Sequence, residues 1–318
     1  MIHKIIFKII DNLLLFLKKI NLDKKIFDKV IFNIGIKNIS ENRKSYSDIT
    51  NIQNAELKIH SQNGEDGIID FLLSSLRLIP GNTNFVEIGV GDYRESNTRF
   101  IYNRFHPKGL IVDCIEGLEN KVNPHVNLWK GDLRICNQNV NSDNINSILK
   151  KYCDYEIDLF SLDIDSIDYW ILKKLPKNIS KIFIVEYNPV FGPNLKITVP
   201  DIKGFDRTKY HYSNLCYGMS LRALIEVMKE KNYYFIGTNL QKMNAFFISN
   251  DFAKKDFFHN IEINNLEYYT NSNIRDSRDK NNKLNYLSGE KKLKEIQNCE
   301  VINLTNNINK LAKIKDLL

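Results

Sequence analysis

Two acidic residues, Asp163 and Asp165, stand two positions apart at the end of the apolar run 157–165. If that run is a strand, both side chains point to the same side of it. Such a carboxylate pair can bind an ammonium group, act as a general base or coordinate a divalent cation. Glu186 and Asn188, which follow the next apolar run, could supply further oxygens. Because carboxylate pairs also occur as helix caps, the sequence assigns no metal ligand and leaves Mg2+ open.

A histidine, His211, lies within the non-periodic segment 188–217. Segments of that length inside a compact domain are usually functional. Histidine titrates in the range that a general base needs, so His211 is the first candidate to remove a proton from an attacking hydroxyl. The alternative is an ordinary hydrogen-bonded loop histidine, and a single residue does not separate the two.

A glycine-rich turn lies in the stretch 84–98, where a short apolar run reaches Glu87 and is followed by Gly89 and Gly91. Glycines in this position let the backbone turn sharply and approach a ligand closely, as in nucleotide-binding α/β proteins. The dinucleotide fingerprint would place a third glycine where this chain has Arg94, which counts against NAD. Asp113 ends the next apolar run, where its carboxylate can accept two hydrogen bonds from a ribose diol. The alternative makes Asp113 a simple turn residue.

The elements that would position these residues alternate along the chain, which predicts a mostly parallel sheet with helices on its faces. A final pair of β-rich runs is so close in sequence that only a hairpin can join them. The predicted helices are Glu65–Ile79, Asn144–Tyr152, Ile167–Leu175 and Ser220–Lys231, and the predicted strands are Phe85–Val86, Gly109–Val112, Val126–Trp129, Ile157–Asp165, Lys181–Tyr187, Tyr233–Ile236 and Ala245–Ser249.

The chain divides into three parts. Residues 1–57 form an N-terminal extension, in which the first 20 residues have the periodicity of an amphipathic helix and the rest is a connector. Residues 58–251 form the α/β domain. Residues 252–318 are a tail that packs on the domain or is partly disordered, with helical patterns near Glu290–Gln297 and Leu304–Leu317.

The charge distribution argues against a nucleic-acid partner. The net charge is +7, but most of the excess lies in the first 60 residues, outside the α/β domain. The helix predicted in residues 1–20 is too interrupted by charge to span a bilayer, and no cleavable secretory signal is evident. It could lie on a membrane surface, or pack on its own domain or on a second copy of the chain. The expected location is the cytoplasm, with peripheral contact to the inner membrane left open.

Taken in order, these motifs resemble those of class I S-adenosylmethionine-dependent methyltransferases, and among them the FkbM-like group. The resemblance covers roughly residues 59–251. The residues that carry it are Ser61-Gln-Asn-Gly-Glu-Asp66, Glu87-x-Gly-x-Gly91, Asp113, Gly131-Asp132, Asp158 with Asp163 and Asp165, Glu186-Tyr-Asn-Pro189 and Asn244-Ala-Phe-Phe247.

The resemblance implies a Rossmann-like seven-stranded sheet that ends in an antiparallel hairpin, and S-adenosylmethionine as cofactor. An acidic residue at Asp113 would hold the cofactor's ribose, Asp132 would meet its adenine amino group, and Glu87 would lie near its amino-acid end. Gly89, Gly91 and Asp163 complete the implied cofactor site. His211, Asp163 and Glu186 are the candidate catalytic residues, on the grounds of their own chemistry and position.

The function that follows is methyl transfer to a hydroxyl of a small polar acceptor, such as a sugar or a glycan precursor of bacterial surface polysaccharide. One rival is a non-catalytic protein that keeps the fold within a glycan assembly complex. A nicotinamide-dependent oxidoreductase is disfavoured by Arg94 and by the terminal hairpin. A nucleic-acid methyltransferase would be expected to carry an Asn/Asp-Pro-Pro-Tyr/Phe motif, which the sequence lacks.

Overall fold

A computed structural model describes residues 24–78, 80–253, 260–272, 276–305 and 309–318. The amphipathic helix predicted in residues 1–20, with its membrane or partner contact, lies outside the described residues. None of the described helices is both long enough and apolar enough to cross a membrane.

A seven-stranded sheet forms the centre of the fold, in the order β3-β2-β1-β4-β5-β8-β7. Strands β1 to β5 run parallel, and β8 is antiparallel to both of its neighbours. The predicted Rossmann-like sheet with a terminal antiparallel hairpin is therefore confirmed. Its strands are β1 Phe85–Ile88, β2 Gly109–Asp113, β3 Leu133–Asn137, β4 Ile157–Leu162, β5 Ser180–Glu186, β7 Tyr233–Thr238 and β8 Asn244–Ser249.

Side chains alternate between the two faces of this sheet along each strand. Because apolar side chains lie on both faces, helices cover both of them. On β1, Val86 and Ile88 face one hydrophobic cluster and Phe85 faces the other. The described α-helices are α1 Lys24–Asn42, α2 Glu65–Ser75, α3 Arg99–Phe105, α4 Leu118–Val122, α5 Ile145–Tyr152, α6 Asp168–Lys174, α7 Arg207–Tyr210, α8 Leu221–Glu230, α9 Asn250–Ala253, α10 Leu266–Thr270 and α11 Glu290–Glu295.

A second, smaller sheet joins the segment after β5 to the C-terminal part of the chain. It has the order β10-β9-β6, with β6 Ile197–Thr198, β9 Glu300–Asn303 and β10 Lys310–Lys313. The helix predicted over Leu304–Leu317 is therefore wrong. The antiparallel pairing of β10 with β9 gives residues 310–313 backbone partners, and this overrules the local helical pattern.

The prediction of the third strand is also wrong, and this error affects the site. Val126–Trp129 was expected to be a strand, but Trp129 lies in a short 3-10 turn with its side chain 82% exposed. The third strand, β3, follows it, and its Leu133 pairs with Gly109 of β2. As an edge strand that contains Arg134, β3 lacks the uninterrupted apolar run that marks the central strands.

Candidate functional site

A cleft of about 350 Å³ opens at the carboxyl ends of β1, β2 and β4, which is the edge where open α/β sheets bind ligands. Its walls are the turns that follow these strands, residues 138–140 after β3, and Phe205. The volume falls within the range of small-molecule sites. The structure therefore brings together Gly89, Gly91, Asp113 and Asp163, four of the predicted residues.

Gly89 allows two strand ends to meet at the floor of the cleft. Its φ is +87°, and a Cβ at this position would stand 1.5 Å from the carbonyl oxygen of Asp163. No side chain fits there without moving the turn after β4. The glycine is thus required by close backbone packing.

Gly91 and Asp113 form the second part of the turn. The backbone N–H of Gly91 donates to Asp113 Oδ2 at 2.7 Å, and that of Ile115 donates to Oδ1 at 2.9 Å. Each carboxylate oxygen keeps a further lone pair for a ligand. Apart from the glycine itself and its two chain neighbours, none of the described residues has an atom within 4 Å of where a Cβ of Gly91 would stand, so this glycine faces open space. A ligand with a vicinal diol fits this arrangement.

Three carboxylates meet beside the glycine turn. Asp163, Asp165 and Glu186 each offer an oxygen within 4.8 Å of the others. Burial, together with the charges of the neighbouring acids, raises the pKa of Asp163 and of Glu186 well above the ordinary range. Two states satisfy such a cluster: a shared proton, or a divalent cation held by oxygen ligands.

Arg207 supplies positive charge at the edge of this cluster. Its Nη1 donates to Asp165 Oδ1 at 2.6 Å, and its guanidinium lies 4.9 Å from the ring centre of Tyr217. Asp165 has a φ of +54°, an uncommon backbone conformation for a residue that is not glycine. This conformation is consistent with a functional turn.

Asp168 holds the turn that presents the acids. Its two oxygens accept from the backbone N–H groups of Ile164 and Ser166, both at 3.0 Å. Burial raises the pKa of Asp168 to about 6, although these hydrogen bonds oppose the shift. Its role is to position the turn.

Glu87 is predicted to lie near the amino-acid end of the cofactor through its backbone or a water molecule, and this stays a prediction. Its carboxylate is buried and accepts from the hydroxyls of Ser96 and Thr98, both at 2.5 Å, and from the backbone N–H groups of Asn97 and Thr98. It fixes the loop between β1 and α3 from below and is not among the cleft residues.

Asp132 lies at the wrong edge of the sheet for the predicted contact with adenine. It precedes β3, and its backbone oxygen accepts from the N–H of Gly109, the first residue of β2. Asp113 ends that same strand, so the two acids stand at opposite edges. Asp132 is exposed and pairs with Arg134. This prediction is wrong because the third strand was placed too early.

His211 is not among the residues that line the cleft. Its Nδ1 lies 2.7 Å from Ser213 Oγ, and its ring packs at 4.3 Å on that of Tyr212. Partial burial lowers the pKa of His211. Asn188 is also occupied, because its Oδ1 accepts from the N–H of Val190. Neither contact supports the roles that the sequence suggested.

Sequence reasoning missed Arg207, Phe205 and the polar pair Gln138-Asn139. Arg207 and Phe205 lie in a segment without periodicity, which gave no signal of what they face. Gln138 and Asn139 follow the true β3, and a correct strand boundary would have found them.

No protein-family model matches this chain, and no curated protein matches it. Among solved structures, a S-adenosylmethionine-dependent methyltransferase from Clostridium acetobutylicum is similar over 58% of this chain and 90% of its own, at 12% identity and a TM-score of 0.37. An O-methyltransferase from Bacillus cereus, solved in complex with SAH, is similar over 69% and 89%, at 11% identity and 0.37. A SAM-dependent methyltransferase from Aquifex aeolicus is similar over 55% and 85%, at 11% and 0.32. Similarities at these levels of identity and TM-score assign no activity to the chain. An assignment therefore depends on the chemistry of the residues in its own cleft.

Proposed function

We propose that this protein transfers a methyl group from S-adenosylmethionine to a hydroxyl of a small polar acceptor. One observation carries the proposal. At the cleft, the glycine turn lies between Asp113, whose carboxylate can accept hydrogen bonds from ribose hydroxyls, and the acid cluster of Asp163, Asp165 and Glu186. The order of motifs that resembles the FkbM-like group supports the same cofactor.

Different residues of the chain would bind the cofactor, accept the proton and stabilise charge. Asp113 would bind the ribose hydroxyls, and Gly91 leaves room for the cofactor's approach. When bound, S-adenosylmethionine supplies an electrophilic methyl group. Asp163, which lines the cleft, would in its ionised form take the proton that the attacking hydroxyl releases. Glu186 beside it would share that proton, since burial and the neighbouring acids raise the pKa of both groups. Arg207 would orient Asp165 and stabilise the negative charge of the cluster.

We extend the proposal to a sugar or glycan precursor as acceptor, as the resemblance to the FkbM-like group implies. On the acceptor side, Ser166 and Phe205 line the cleft beside Asp165, and Arg207 stands next to them. Carboxylates and guanidinium groups hydrogen-bond hydroxyls, and an aromatic ring can pack on the apolar face of a sugar.

Calorimetry with S-adenosylmethionine tests the cofactor assignment. We expect saturable binding by the wild type. Asp113→Ala should weaken that binding by at least about 100-fold, because two charge-assisted hydrogen bonds to the ribose are lost. Asp132→Ala is the matched control, since it removes a second aspartate side chain, which is exposed and lies at the opposite edge of the sheet.

An unchanged affinity in Asp113→Ala would contradict the assigned site. No binding by the folded wild type would favour the non-catalytic rival. Once binding is established, a panel of sugars and nucleotide sugars can be screened for acceptor-dependent formation of S-adenosylhomocysteine.

A further inference from the structure

A second cavity, of about 450 Å³, lies apart from the cleft and shares no lining residue with it. It is enclosed by the start of α1, by the beginning of α3 and by the segment 123–130. None of the roles proposed for the cleft uses it.

Three buried nitrogen atoms of lining residues have no hydrogen-bond partner within the described ranges. They are His60 Nε2, Arg99 Nε and His125 Nδ1. The side chains of His60 and Arg99 are almost fully buried, with 6% and 3% exposure. Because buried polar groups in folded proteins are nearly always paired, three unpaired nitrogens among the residues of one cavity indicate a polar ligand there. Such a ligand needs an acceptor for Arg99 Nε, which can only donate.

Arg99 shows why this acceptor has to come from outside the described chain. Its Nη1 donates to the carbonyl oxygen of Arg94 at 2.9 Å, and its Nη2 donates to Asp28 Oδ2 at 2.9 Å. These contacts fix the guanidinium plane and leave Nε as the free donor. The ring of His60 is held in turn by stacking on Phe32 at 6.0 Å.

The charges around the cavity favour an anion. Arg99, Lys29 and Lys130 line it against one acid, Asp28. Burial and the charge of Arg99 lower the pKa of His60 to about 4, so at neutral pH its ring is an uncharged donor or acceptor. A metal site is disfavoured, because the described residues form no group of three close ligand atoms here.

We propose that this cavity is a second binding site, which takes the phosphate group of a small anionic ligand. A tetrahedral oxyanion presents oxygens in several directions. It can therefore accept hydrogen bonds from donors that lie on separate elements of the fold. A carboxylate offers two oxygens in one plane and would satisfy fewer of them. Lys29 and Lys130, which are exposed and line the cavity, supply positive charge that favours a bound phosphate.

Histidine side-chain NMR, with inorganic phosphate as the probe, tests this site at constant ionic strength. We expect the ring signals of His60 and His125 to shift together and to saturate with a Kd in the range of about 1 mM or tighter. His211, which lies elsewhere, serves as the internal reference. Replacing phosphate by sodium chloride at equal ionic strength should produce no shift.

Variants locate the bound phosphate. The double substitution Lys29→Gln with Lys130→Gln should weaken phosphate binding about tenfold. Lys121→Gln, an exposed lysine on α4 outside the cavity, is the matched control. Affinity for S-adenosylmethionine should be the same in both variants as in the wild type, which separates this proposal from the function of the cleft.

Two further ligands identify the source of the phosphate. Competition by glycerol phosphate indicates a soluble metabolite, whereas binding only to vesicles that contain phosphatidic acid indicates a lipid headgroup. Either result supports the proposed site if the double variant binds that ligand more weakly than the wild type does. Absence of saturable shifts at His60 and His125 would overturn the proposal, as would equal shifts in the double variant and the wild type.

Discussion

The two halves of the cleft are built on different physical principles. On one side, Gly89 and Gly91 shape the backbone, and one carboxylate, Asp113, ties the turn together through N–H bonds. On the other side, Asp163 and Asp165 line the cleft and form one cluster of acids with the buried Glu186, which Arg207 offsets only at its edge. Steric fit decides the first half and electrostatics the second. Substitutions on the two sides should therefore have different effects. Those in the glycine turn should lower the stability through steric overlap, and those in the acid cluster should change how the stability depends on pH.

The largest effect is expected from Gly89→Ala, because the new methyl group would overlap the carbonyl oxygen of Asp163. We expect a loss of about 4 kcal/mol or more in the free energy of unfolding, measured by chemical denaturation. Gly91→Ala is the matched control. There the added carbon meets open space, and the positive φ alone should cost about 1 kcal/mol. Equal losses in the two variants would contradict the steric account.

Glu186→Gln tests the electrostatic half through its dependence on pH. Burial and the neighbouring acids raise the folded-state pKa of Glu186 above its unfolded value. Its stabilising contribution is therefore complete below the unfolded pKa and is lost as the pH rises through the folded pKa. The glutamine variant lacks this loss. Between pH 5 and pH 8, the stability of the variant should therefore rise relative to that of the wild type.

The comparison between the two pH values isolates this effect, since any cost of burying the amide is the same at both. Glu119→Gln, on the exposed surface of α4, is the control and should show no such gain. Parallel pH curves for the wild type and the Glu186→Gln variant would show that the pKa of Glu186 is not raised.

Addition of divalent cations distinguishes the two states that would satisfy the acid cluster, a bound cation and a shared proton. If it binds Mg2+, a concentration about ten times the Kd should raise the stability by about 1.4 kcal/mol, detected as an increase in Tm. Asp165→Asn should abolish the increase by removing one ligand oxygen. Asp132→Asn should retain it, because that acid lies at the other edge. An unchanged Tm in the wild type would assign the cluster a shared proton.

The parts of the molecule that could be predicted are those decided by local patterns. The glycine turn and Asp113 follow directly from short motifs at the ends of apolar runs, and the sheet follows from alternation. Asp132 was misplaced because β3 is an edge strand whose polar residues conceal it. Arg207 could not be predicted, since its contact with Asp165 joins positions 42 residues apart across a segment without periodicity.

His211→Ala is expected to have the smallest effect, and it tests whether sequence or structure gives the better catalytic assignment. Its Nδ1 is engaged with Ser213, and it does not line the cleft. With any acceptor found by screening, we expect kcat to fall by less than about threefold, whereas loss of a general base costs about 100-fold or more. Glu186→Gln should show that larger loss under the same conditions. A 100-fold loss in His211→Ala, with unchanged affinity for S-adenosylmethionine, would restore His211 as the base. It would require the segment 188–217 to bring His211 to the cleft when the acceptor binds.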